Sequence, residues 1–133
     1  MNKIALDTNV LIFLYDNINS PKKKIAEELV LKMPMISSQV VSEFLNVTKR
    51  LLKIPKQHVL HKCIQLLENC TLENVTLDTL KSSEVLIAKY DFQIFDSIIV
   101  AAALQANCSI LYSEDMHHGL EVEKQLTIIN PFL

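Results

Sequence analysis

Apolar residues along this chain fall into two patterns, short unbroken runs and longer stretches at helical spacing. Ile4-Ala5-Leu6 is the first run, and it stops abruptly at Asp7. A run of that length bounded by polar residues predicts a buried parallel strand, with the acid at its carboxyl end. Val10 through Tyr15 is too apolar for an exposed loop and predicts a helix returning over the sheet. Asp16-Asn17-Ile18-Asn19 reads as a turn. Ser20-Pro21 is a helix start, with Ser as N-cap and Pro at the first helical position, and Ile25, Ala26, Leu29 and Val30 follow at helical spacing. Pro34 through Ser37 predicts a second strand, and Ser37 or Ser38 can cap the helix after it. That helix carries Val40, Val41, Phe44, Leu45, Val47, Leu51 and Leu52 as a broad inward stripe, with Glu43 in its early turns beside the stripe.

Lys53-Ile54-Pro55 breaks this helix, and Val59, Leu60, Cys63, Ile64, Leu66 and Leu67 define the next. Cys70 through Val75 predicts a third strand, and Thr76 or Asp78 can cap the helix of Leu80, Val85, Leu86 and Ala88. Asp91-Phe92-Gln93 is a turn. The most apolar helix runs from Ile94 to Ala106; its Ala101-Ala102-Ala103 permits close approach to a sheet, Asp96 sits in its first turn, and Asn107 is a C-cap. Cys108 through Tyr112 predicts a fourth strand, leading into Ser113-Glu114-Asp115-Met116. Thr127 through Asn130 predicts a last, edge strand. Strands alternating with helices imply an α/β fold of three layers, in which a mainly parallel sheet of four to five short strands is covered on both faces. The carboxyl edge of such a sheet is where ligands bind.

Composition narrows the picture. A chain of 133 residues, half of them hydrophobic, fits one domain over 1–133. The formal net charge of -2 argues against a broadly basic surface for non-specific nucleic-acid binding. Three cysteines, Cys63, Cys70 and Cys108, show no C-x-x-C spacing, so no disulfide framework or zinc knuckle is expected and a reducing cytoplasm is the simplest home. No basic-then-apolar secretory leader is visible, and the longest purely apolar run, Ile98 through Leu104, is far short of the roughly 20 residues that cross a bilayer. The single glycine, Gly119, excludes glycine-rich phosphate loops of the Rossmann and P-loop kinds. His58 and His61 are three apart on a helix, but no further ligands accompany them, and they read as surface or packing residues.

Four acids fall at or near the carboxyl edge of the predicted sheet: Asp7, Glu43, Asp96 and Asp115. Each lies beside apolar sequence, which is not how solvated charges are usually placed. Each also has a plain structural use. Asp7 could cap a helix, Asp96 complements a helix dipole, Glu43 could ride an exposed helix face, and Asp115 has a rival in Glu114. Together they predict convergence. Two like charges 4 Å apart repel by about 4 kcal/mol at an effective dielectric near 20, so such a cluster needs protons or a cation. Oxygen-only ligation selects Mg²⁺ or Mn²⁺, the ions of metal-dependent phosphodiester hydrolysis.

The ordered set Leu6-Asp7-Thr8-Asn9-Val10-Leu11, Ser42-Glu43-Phe44, Phe95-Asp96-Ser97 with its alanine-rich helix, Leu111-Tyr112-Ser113-Glu114-Asp115-Met116 and Asn130-Pro131-Phe132 resembles the PIN-domain nucleases. Within them it is similar to the VapC-like toxins of type II toxin–antitoxin systems. The resemblance implies a single PIN-like domain in which Asp7, Glu43, Asp96 and Asp115 bind Mg²⁺ or Mn²⁺, Ser113 supports the site and Asn9 helps hold the network. It implies an endoribonuclease with RNA as substrate, a homodimer, and a cognate antitoxin that occupies the acidic pocket. Lys22, Lys23, Lys24, Lys49, Arg50, Lys53 and Lys56 are candidates to flank that pocket, and Lys49, Arg50 and Lys53, beyond Glu43 along its helix, are the better placed for RNA. The rival reading is a catalytically silent binding or regulatory module on the same fold. A phosphoacceptor receiver domain would need an Asp after the central strand and a Lys after the last, which Val75-Thr76 and Ile129-Asn130 do not supply. A haloacid-dehalogenase-like phosphatase would need Asp where Asn9 stands.

Overall fold

The computed structural model describes residues 3–16 and 20–133; most of the turn expected before Ser20 lies outside them. The strands are β1 (Ile4–Leu6), β2 (Met35–Ser37), β3 (Thr71–Glu73), β4 (Ile110–Tyr112), β5 (Glu121–Val122) and β6 (Leu126–Ile129). The helices are α1 (Thr8–Ile12), continued by a 3₁₀ turn over Phe13–Tyr15, then α2 (Pro21–Val30), α3 (Ser38–Leu51), α4 (Lys56–Leu67), α5 (Leu77–Tyr90) and α6 (Ile94–Gln105). One sheet holds the strands in the order β3-β2-β1-β4-β6-β5. Pairings from β3 through to β6 are parallel, with Ala5 opposite both Met35 and Leu111, and only β5 runs antiparallel, against β6. All three residues of β1 and of β2 are buried. Successive side chains on a strand point to opposite faces, so both faces there are covered.

The local signals largely decide the helix starts. Ser20 caps α2 through the Lys23 N–H with Pro21 at the first position, Ser37 rather than Ser38 caps α3 through the Val40 N–H, and Thr76 forms a capping box with Thr79 at α5. Ala106 rather than Asn107 is the C-cap of α6, and Asn107 follows it in the left-handed region at φ 61°. Val100 to Ala103 of α6 are buried, together with Leu6, Ile36, Phe44, Leu111 and Ile128, in one core.

Two expectations about the sheet change. Among the described residues it has six strands rather than four or five, and β6 lies between β4 and β5 instead of at the edge. The added strand is the two-residue β5, joined to β6 by a turn in which Glu123 and Lys124 take φ of 52° and 54° and the Gln125 N–H bonds the Val122 carbonyl at 3.1 Å. Glycine or asparagine usually marks such a turn, and neither is present to signal it.

This topology positions the site. From β1 the chain crosses to β2 and β3 on one side, then returns to place β4 on the other side of β1. The carboxyl ends of β1 and β4 therefore flank a switch point, where the crossovers diverge and leave a crevice.

Candidate metal centre

Asp7 follows β1 directly, its N–H bonded to the Tyr112 carbonyl of β4 at 2.9 Å. Its side chain caps α1, with Oδ1 accepting from the Thr8 N–H at 2.7 Å, so the structural use and the placement in the crevice coexist. Asp7 Oδ2 accepts from the Ser113 hydroxyl at 2.8 Å, and Ser113 Oγ accepts from the Met116 N–H at 3.2 Å. Asn9 joins the two strand ends. Its Nδ2 donates to Asp7 Oδ2 at 3.1 Å and to Asp115 Oδ2 at 3.2 Å, while its Oδ1 accepts from the Glu114 N–H at 3.0 Å. Glu43, in α3, accepts from the Thr8 hydroxyl at 3.3 Å and from Gln39 Nε2 at 2.9 Å. Asp96 is the third residue of α6, half-buried, where the positive end of the helix favours an anion.

These segments enclose a cavity of about 620 Å³ lined by Asp7, Asn9, Glu43, Asp96, Glu114 and Asp115, with Thr8, Ile12, Phe13, Val47 and Gln93. Among the described residues no basic side chain joins that lining. A second hollow of about 460 Å³ between α5, α6 and the β5–β6 turn has an apolar floor of Val85, Leu86, Ala101 and Leu104, and no comparable convergence of acids. The electrostatic consequence is visible at Asp7. Burial pushes its carboxyl from 3.8 up to about 6 despite the hydrogen bonds from Ser113 and Thr8, and Asp96 and Glu43 add repulsion. Asp96 is raised as well, by burial first and then by Glu43 and Asp115.

Among the described residues no three of these groups form a ready-made metal cage. The chemistry of the donors still suits a hard divalent ion. Mg²⁺ keeps several waters and takes one or two protein carboxylates alongside substrate oxygens, whereas a closed all-protein cage is the habit of zinc. The donors are all oxygen, they are anionic, and protonation or a cation must relieve their repulsion.

Lys49, Arg50 and Lys53 do not join the site: all three are exposed, none lines the cavity, and Arg50 Nε donates to the Asn46 carbonyl of its own helix. His58 and His61 are exposed on α4.

The sequence model of the PIN domain matches residues 4–118. The chain belongs to the PIN domain family. Several solved structures share its fold. A toxin–antitoxin complex from Klebsiella pneumoniae aligns with a TM-score of 0.71 at 20% identity, over 97% of each chain. A sarcin-ricin-loop-cleaving VapC toxin of Mycobacterium tuberculosis gives 0.66 at 20% identity, over 85% of this chain and 90% of the other. A DNA-bound VapBC complex from Salmonella typhimurium gives 0.70 at 15% identity, over 96% and 97%. Comparison with curated proteins gives no significant match.

Two participants in this PIN domain's site were not expected from the sequence, and Lys22, expected to flank the pocket, pairs specifically with Glu114. Thr8 and Gln39 hold Glu43 from two sides, and the i, i+4 spacing of Gln39 and Glu43 was the available signal. Lys22 reaches Glu114 across 92 residues of sequence, and no local pattern announces that contact.

Proposed function

We propose that this PIN domain is a Mg²⁺- or Mn²⁺-dependent endoribonuclease that hydrolyses RNA phosphodiester bonds, the toxin of a type II toxin–antitoxin pair. The observation that carries this reading is the convergence of Asp7, Glu43, Asp96 and Asp115, from four separate segments, on one cavity whose lining holds no basic side chain among the described residues. When bound, a divalent ion there supplies an activated water and neutralises phosphate oxygens. Asp7 and Asp96, the acids most perturbed by burial, are the anchoring ligands, with Glu43 and Asp115 completing the set. Ser113 and Asn9 hold Asp7 in one orientation, and Thr8 and Gln39 do the same for Glu43, so the carboxylates arrive preorganised.

Two partners follow. The structural relatives that are toxin–antitoxin complexes support an antitoxin bound to this chain. Leu60, Ile64, Leu72, Leu77 and Leu80 are all exposed on three consecutive elements, α4, the edge strand β3 and α5, and support a homodimer.

Purified protein, freed of any copurified inhibitor, is incubated with a mixed RNA pool in Mg²⁺ or Mn²⁺, in EDTA, and as the Asp96→Asn variant. The expected outcome is cleavage that needs both the metal and Asp96, with the variant slower by roughly a hundredfold or more. Cleavage that survives EDTA or the substitution overturns the mechanism, and a folded protein that cuts nothing favours the silent binding module.

A further inference from the structure

Two consecutive acids, Glu114 and Asp115, follow β4, and both line the cavity. Their carboxylates are engaged differently. Asp115 Oδ2 accepts from the same Asn9 amide that holds Asp7, so it is tied into the acidic cluster. Glu114 Oε2 instead accepts from Lys22 Nζ, at 2.5 Å, in the first turn of α2.

Lys22 does not reach Glu114 as a free surface chain. Its ammonium lies 5.1 Å from the centre of the Phe13 ring and 5.5 Å from that of Phe132, and the two rings pack edge to face at 5.0 Å. The carboxyl-terminal segment completes the seat. Asn130 Nδ2 donates to the Glu114 carbonyl at 3.5 Å, and Asn130 Oδ1 accepts from the Phe132 N–H at 2.9 Å. An exposed lysine–glutamate pair fixes little by itself. Here two aromatic rings hold the cation in place, and Glu114 is tied at its N–H by Asn9 and at its carbonyl by Asn130.

We propose that Lys22 is a positioning residue that holds the Glu114 carboxylate out of the acidic cluster, so that Asp115 alone of the two acids serves the metal. The inference rests on the metal-centre reading. Its chemical logic is coordination number: a hard ion that must carry a water and meet a phosphate oxygen needs open positions, and a fifth carboxylate would fill one. Without Lys22, Glu114 adds its charge to the cluster, which tightens the metal while obstructing substrate.

The test is Mn²⁺ titration by calorimetry of the wild type, Lys22→Met, Lys22→Arg, Glu114→Gln and the Lys22→Met/Glu114→Gln double variant, each first shown folded by circular dichroism. Lys22→Met is expected to bind Mn²⁺ up to about tenfold more tightly, since affinity follows the ligand charge count. Glu114→Gln alone is expected to stay within about twofold of wild type, and in the Lys22→Met background to restore wild-type affinity. Lys22→Arg keeps the charge and the ring contacts and is expected to match wild type. If wild type binds Mn²⁺ and Lys22→Met binds it equally, or if Glu114→Gln does not reverse the change, the positioning role is wrong while the metal centre stands. If Lys22→Met does not fold, a gain in affinity on Glu114→Gln, or a loss, overturns it, and unchanged affinity supports it. No Mn²⁺ binding by the folded wild type removes the metal centre and this inference together.

Discussion

Asp7 exposes 4% of its surface and carries its carboxyl at about 6, raised by burial above an ordinary 3.8. A folded-state value above the unfolded one means that protonation favours the fold. The contribution is fully present below about 3.8 and is lost as pH rises through about 6, and a shift of that size is on the order of 3 kcal/mol. In EDTA, Asp7→Asn should therefore flatten this part of the stability curve. Melting temperatures at pH 4.5 and 7.5 are the measurement: the wild type should lose ground relative to the variant at the higher pH. An equal difference at both pH values would contradict the assignment. Asp7, Glu43, Asp96 and Asp115 were legible because each acid interrupts apolar sequence at a strand end or in a helix turn near one. Lys22 was not, since within Lys22-Lys23-Lys24 nothing distinguishes the one lysine that meets Glu114.

At the scale of elements, α6 shows how sequence becomes position. Its Ala101, Ala102 and Ala103 are all buried, and their small side chains leave room for close packing while Asp96, in the first turn, lines the cavity. Ala102→Leu adds volume where exposure is 0%. Overpacking of this kind costs about 1–3 kcal/mol. Urea unfolding should show a lowered midpoint with an unchanged slope, and a variant as stable as wild type would mean the contact is looser than described. The β5–β6 hairpin is the opposite case. Its turn is made by Glu123 and Lys124 in left-handed conformations, which antiparallel pairing imposes and local preference opposes. Local pattern therefore missed β5 and left β6 at an edge.

For the whole molecule, the strand order β3-β2-β1-β4-β6-β5 puts the crevice between the ends of β1 and β4, and the helices bring Glu43 and Asp96 to it. The fold thus spends stability to crowd like charges, and a cation should return it. A ligand bound to the folded state alone at a hundred times its Kd adds about 2.7 kcal/mol. Saturating Mn²⁺ should raise the melting temperature of the wild type over that in EDTA by several degrees, and raise that of Asp96→Asn by less. Equal shifts in the two proteins would place the ion elsewhere.

The alternation of short apolar runs with helical stripes determined the α/β class, the parallel core strands and the four candidate acids, because burial periodicity and the strand-end position of an acid are local properties. What the tertiary structure decided is relational. Which strand lies beside which, that Asn9 bridges Asp7 and Asp115, and that Glu114 turns to a Lys22 seated on two phenylalanines all depend on contacts between segments far apart in the chain. Such contacts leave no mark in the spacing of either segment, since each partner is chosen by the packing of the sheet and helices between them.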